Sequence, residues 1–168
     1  MTSKDSIPPG RFAGSLWELE DTHRRTLEVI AHVDSARIDE IPPGFDNSIG
    51  ALLHHIALIE ADWLYADILQ TDYPEWMYDA FPDEDRDEDG RLVPARRPLA
   101  VHLATMAMVR DHLLTELNGL PDSEFTRVRS TASGDLTPQW VLHHLRQHEA
   151  EHRGQIQSLQ TAQRTPIA

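Results

Sequence analysis

Apolar residues recur at helical spacing over four stretches of the chain. Phe12, Leu16, Leu19, His23, Leu27 and Ile30 stand three or four residues apart, which puts them on one helical face, and mark a first helix to about Ser35. Ile49, Leu52, Ile56, Ile59 and Trp63 mark a second, to about Gln70. Between the two, Pro42, Pro43 and Gly44 interrupt any helix, and Asn47 or Ser48 can cap the next one. A third begins near Pro98, carries Leu99, Leu103, Met106, Leu113, Leu114 and Leu117, and ends at Gly119 and Pro121. Thr137 followed by Pro138 opens a fourth, with Val141, Leu145, Ile156 and Leu159 on its stripe, fading beyond Gln160 into a polar tail.

Four amphipathic helices without a strand pattern predict an all-α four-helix bundle over residues 11–160, between a disordered lead-in (1–10) and a polar C-terminal tail (161–168). Periodicity vanishes over residues 71–98, which hold aromatics, an acidic run and four prolines. A connection of that length can cross the whole bundle, so helices two and three are expected to be parallel in an up-down-down-up order.

Polar residues on the apolar stripes carry the chemistry. With Val141 as zero and about 100° per residue, His148 and His152 fall within about 20° of it, so both imidazoles point into the core one turn apart. Two such imidazoles can hold one divalent ion. In helix two, His55 lies about 60° from Leu52 and His54 about 160°, so His55 is expected to face in and His54 out. His55, His148 and His152 then form a three-histidine set with an open fourth position, as a catalytic metal site requires. His144 extends the series by a turn, as a rim or pocket residue, and His23 falls mid-stripe in helix one as a pocket residue or fourth ligand. His143 is expected to be solvated, and His32, His102 and His112 give no separable signal.

Asp85, Asp87, Asp89 and Gly90 spell the opening of a calcium loop, but Arg96 stands where a bidentate Glu is needed and Pro94 just before it. The segment reads as a solvated acidic loop, and removal of residues 83–89 is expected to leave fold and metal intact.

Charge and composition narrow the classes. With 28 acidic against 15 basic residues and a net charge of -13, the chain would repel a phosphate backbone, so no nucleic-acid partner is expected. The absence of cysteine excludes disulfides, zinc–thiolate sites and a cysteine nucleophile. No apolar run reaches membrane-spanning length and the N-terminus has no signal-peptide core, so a cytoplasmic protein without membrane contact is expected.

The last helix, HHLRQHEAEHRGQI (residues 143–156), resembles the signature of DinB/YfiT-like bundles, in which HxxxH is followed by Arg-Gly-Gln, here Arg153, Gly154 and Gln155. SIGALLHHIALIEADWL (residues 48–64) is similar to the family's other block, with His55, Ile56, Ala57, Glu60 and Trp63 in the matching places. The resemblance implies a divalent ion, zinc or nickel, on His55, His148 and His152, a homodimer, and either transferase or isomerase chemistry with a low-molecular-weight thiol of the bacillithiol or mycothiol type, or metal-dependent hydrolysis of a small molecule. It supplies no general base; Glu60, Glu149 and His144 are the candidates. A closed structural metal site and an interaction domain presenting Trp76, Tyr78 and Phe81 are the non-enzymatic alternatives.

Overall fold

The computed structural model describes residues 10–164, apart from Glu84, Ser133 and the side chain of Arg11. The predicted lead-in, Gly10 aside, and residues 165–168 lie outside them. Helix α1 spans Arg11–Ile30, α2 Ile49–Asp62, α3 Glu75–Ala80, α4 Leu99–Asn118 and α5 Pro138–Arg164. Strands β1 (Arg129–Thr131) and β2 (Gly134–Leu136) pair antiparallel, with Arg129 opposite Leu136. The fold is thus mostly helical, with one small sheet.

Local chemistry sets the boundaries. Ser48 Oγ accepts from Ala51 N, and Thr137 Oγ1 from Trp140 N, each satisfying an otherwise unpaired donor in a first helical turn. Helix α1 stops at Ile30 rather than near Ser35 because Asp34 accepts from Ala36 N and starts a separate 3-10 turn, Ser35–Arg37. Helix α5 runs past Gln160 to Arg164 because Gln160 Nε2 donates to Val29 O and Gln163 Nε2 to Arg37 O, which docks the last turn. Helix α2 continues as a π-helical segment, Trp63–Leu69, closed by Gln70 in the left-handed region at φ 55°. The six-residue α3 and the three-residue strands are too short to show a period in sequence.

Helix α1 packs on α5 and α4, and α2 on α4 and α5. Side-chain contacts fix the directions. Glu18 meets Arg146, His23 meets Glu149 and Val29 meets Gln160, an ascending series, so α1 and α5 run the same way. Gly50 and His54 lie by His102, and Glu60 by Arg110, so α2 and α4 also run together. Trp63 meets His144 whereas His55 meets His152, so α2 opposes α5. Leu19, Leu52, Leu53, Leu64, Leu113, Leu142 and Ile156 are fully enclosed between these helices. Each such side chain contributes about 1.5–3 kcal/mol relative to exposure, an upper bound because unfolded chains already bury some apolar surface.

Candidate metal centre

The middle of α2 faces the middle of α5, and there His55, His148 and His152 converge. His148 Nε2 lies 3.2 Å from His55 Nε2 and 3.0 Å from His152 Nε2, and the donor atoms of all three lie within 4.8 Å of one another. The far side of two rings is tethered: His55 Nδ1 lies 2.8 Å from Asp85 Oδ2, and His152 Nδ1 lies 3.0 Å from Gln155 Oε1. Both partners are acceptors, so each Nδ1 carries the proton and each Nε2 turns a lone pair into the cluster.

Three imidazole nitrogens at this separation need something positive between them. Burial lowers the pKa of all three; His148 is pushed to about 3, first by burial and then by the His152 and His55 rings. The set is therefore neutral near pH 7, and at most one ring proton can bridge it. Two lone pairs then remain facing one another, and a terminal nitrogen of Arg86, 3.5 Å from His55 Nε2, stands only at the outer limit of a hydrogen bond, so a divalent cation would still relieve them. All-nitrogen donors, an outer tether on two rings and the lack of a fourth His, Asp or Glu within the group among the described residues fit a three-coordinate protein site with an open position.

Asp85 corrects the reading of the acidic segment. It is half-buried, and its main-chain oxygen accepts from Val93 N. Asp87 Oδ1 accepts from the main-chain nitrogens of Asp89 and Arg91, and Gly90 turns the chain at φ 78°. Leu92 is buried, and its N–H donates to Asn47 Oδ1. Residues 85–93 thus form a small folded strap over the site rather than a purely solvated loop. Their removal would take away the partner of His55, so deletion of residues 83–89 is now expected to weaken a metal site there rather than to leave it intact.

His54 also departs from expectation, since it is 7% exposed rather than outward-facing. Helix α2 is central and covered on more than one side, so its second face meets Phe81, 5.1 Å between ring centroids, and His102. His54 still points away from the three-histidine cluster. His102 is itself buried and His112 stacks on Trp76 at 4.6 Å, two placements that periodicity gave no means of separating from surface positions. His143 and His32 are exposed.

The remaining candidates form two groups. His144 lies between Trp140 (5.1 Å, near-parallel rings) and Trp63 (4.7 Å), with its ring 6.1 Å from that of His148 and no hydrogen bond among the described residues. Glu60, Glu149 and His23 belong to a buried ion cluster around Arg110, which sequence reading missed because arginine is ordinarily a surface residue. Arg110 Nε and one terminal nitrogen hold both oxygens of Glu60 at 2.7 and 2.6 Å; that terminal nitrogen also reaches Glu149 Oε2 at 3.1 Å. His23 Nδ1 meets Glu149 Oε1 at 3.0 Å. Burial alone would raise the pKa of Glu149, but the His23 hydrogen bond and the Arg110 charge outweigh it and hold the carboxylate ionised. Of the loop aromatics, Trp76 and Phe81 are packed inward, while Tyr78 is 63% exposed.

The architecture and the cluster define a helical domain with a candidate three-histidine metal centre. The sequence matches the family model of the DinB superfamily over residues 18–156, and the chain belongs to that superfamily. No curated protein sequence matches it. Among solved structures, a conserved protein from Enterococcus faecalis is similar in fold, with a TM-score of 0.71 and 18% identity over 92% of this chain and 98% of the other. No helix among the described residues is long and apolar enough to cross a membrane.

Proposed function

We propose that this protein is a divalent-metal-dependent enzyme, built as an up-down-down-up four-helix bundle, in which His55, His148 and His152 hold zinc or nickel. The convergence of three Nε2 atoms within hydrogen-bond distance of one another carries this reading. A metal there would lower the pKa of a bound water or small thiol and so supply a nucleophile at neutral pH without cysteine. Asp85 and Gln155 keep the donor nitrogens of His55 and His152 unprotonated and those two rings in place. The Arg110 cluster engages Glu60 and Glu149, which leaves His144 as the candidate best placed to accept a proton. A groove of about 430 Å³ beside the site, lined by Phe45, Asn47, Gln155 and Ser158, offers space for a small substrate. The family resemblance adds a low-molecular-weight thiol and a homodimer to this reading, and the lack of a membrane-length apolar run in the sequence adds a cytoplasmic location.

The test is elemental analysis of protein purified without added metal, followed by thiol titration of the cobalt-loaded form. Stoichiometric metal supports the proposal, and a sulfur-to-metal charge-transfer band supports the thiol version. Metal-free protein that takes up no cobalt would refute it. Hydrolysis is the second reading, favoured if metal binds and no physiological thiol changes the spectrum. A closed structural site is less well supported, because His23 is engaged by Glu149 and stands outside the three-nitrogen group.

A further inference from the structure

The strap over the site presents a cation to the place where a metal would sit. Arg86 follows Asp85, and one terminal nitrogen of its guanidinium lies 3.5 Å from His55 Nε2, on the donor side of the ring. The other donates to Gly90 O at 2.7 Å, which fixes the group across the turn of the strap. Arg86 also bridges to Leu92 through the main chain, and Leu92 is anchored by burial and by Asn47. The outer surface of Arg86 is exposed. Although Asp85, Asp87, Glu88 and Asp89 surround it in sequence, no carboxylate among the described residues lies within ion-pair distance of it.

A guanidinium held against a divalent-cation site is unfavourable unless an anion comes between the two charges. Resting on the metal reading above, we propose that Arg86 is the substrate-recognition residue of the site and that the substrate class is small molecules bearing a carboxylate, which Arg86 pairs as the substrate approaches the open position. Guanidinium matches carboxylate through charge-assisted hydrogen bonds. A singly charged group suits the surroundings better than a phosphate dianion, because the groove beside the site is lined by Asp46 and Glu151 and Arg86 is the one guanidinium against the donor set among the described residues.

The experiment uses the full chain loaded with cobalt(II), with metal content checked by elemental analysis, and acetate as the probe. Wild type is expected to show a saturable change in the visible cobalt spectrum, with acetate bound about tenfold more weakly by Arg86→Gln. In anion-free buffer the same variant is expected to bind cobalt more tightly than wild type, since a like charge has been removed; saturating acetate should narrow or reverse that difference. Arg86→Lys should recover part of the acetate affinity. If Arg86 only braces the strap, Arg86→Gln weakens cobalt binding in both buffers and the proposal falls. Equal acetate affinity in wild type and variant also overturns it, as does a spectral response to inorganic phosphate without one to acetate. Failure to take up cobalt would instead remove the metal reading on which the proposal stands.

Discussion

Asp85 Oδ2 sits 2.8 Å from His55 Nδ1, so a residue thirty positions further along the chain decides which nitrogen of His55 is free to coordinate. Asp85→Ala is therefore expected to weaken metal binding by about 10–100-fold with little change in fold, the usual cost of losing a carboxylate behind a ligating histidine. Asp85→Asn should cost less, since the amide oxygen can still accept from Nδ1–H. Competition with a chromogenic chelator measures both; equal affinity for Ala and wild type would show that the contact does not tune the site.

Ligand identity separates neighbours in the sequence. His55→Ala, His148→Ala and His152→Ala should each abolish or severely weaken metal binding, because a three-residue site has no spare donor. His143→Ala should change neither metal content nor stability, as the residue is exposed. His54→Ala should keep the metal yet lose about 1–3 kcal/mol of stability, because it empties a buried space beside Phe81 and His102. Elemental analysis paired with denaturant unfolding distinguishes the three patterns. A His54→Ala protein without metal would reverse the assignment on α2.

Periodicity found the four long helices and the inward phase of His55, His148 and His152, because a single buried stripe leaves a strong three-to-four-residue signature. It failed where a helix is buried on two sides, as at His54, and where a partner arrives from an aperiodic segment, as with Asp85 and Arg86. The same acidic run looked like a solvated loop because spacing reports the turn that Asp87 and Gly90 make, not what the flanking side chains reach. Arg110 was hidden for a different reason. Its burial depends on carboxylates from three other helices, Glu20, Glu60 and Glu149, which no local window contains.

That cluster sets a stability prediction. Arg110→Met leaves Glu60 and Glu149 buried beside an apolar side chain, so it should destabilise the domain by about 3–5 kcal/mol, the range for removing one partner of a buried ion group. Adding Glu60→Gln and Glu149→Gln should recover part of the loss by removing the stranded charges. Urea unfolding of the single and triple variants is the check; a loss below about 1 kcal/mol for Arg110→Met would mean that water solvates the carboxylates once the arginine is gone.

His102 provides the pH dependence. It is 2% exposed, and burial, followed by the charge of Arg97, lowers its pKa from 6.5 to about 4. The folded state therefore resists protonation that the unfolded chain accepts. The associated stability is fully present above pH 6.5 and is lost as pH falls from there to about 4, reaching about 2 kcal/mol by pH 5 and about 3 kcal/mol at the lower limit. His102→Gln removes this titration. Unfolding of both proteins is to be compared from pH 7.5 to pH 5 in chelator, so that the three site histidines titrate alike in each. Wild type should lose about 2 kcal/mol more than the variant over that interval. Parallel curves would show that His102 is not held neutral by burial, and that its neighbours, His54 and the Asp39 carboxyl beside Gly50, accommodate the proton in the folded state.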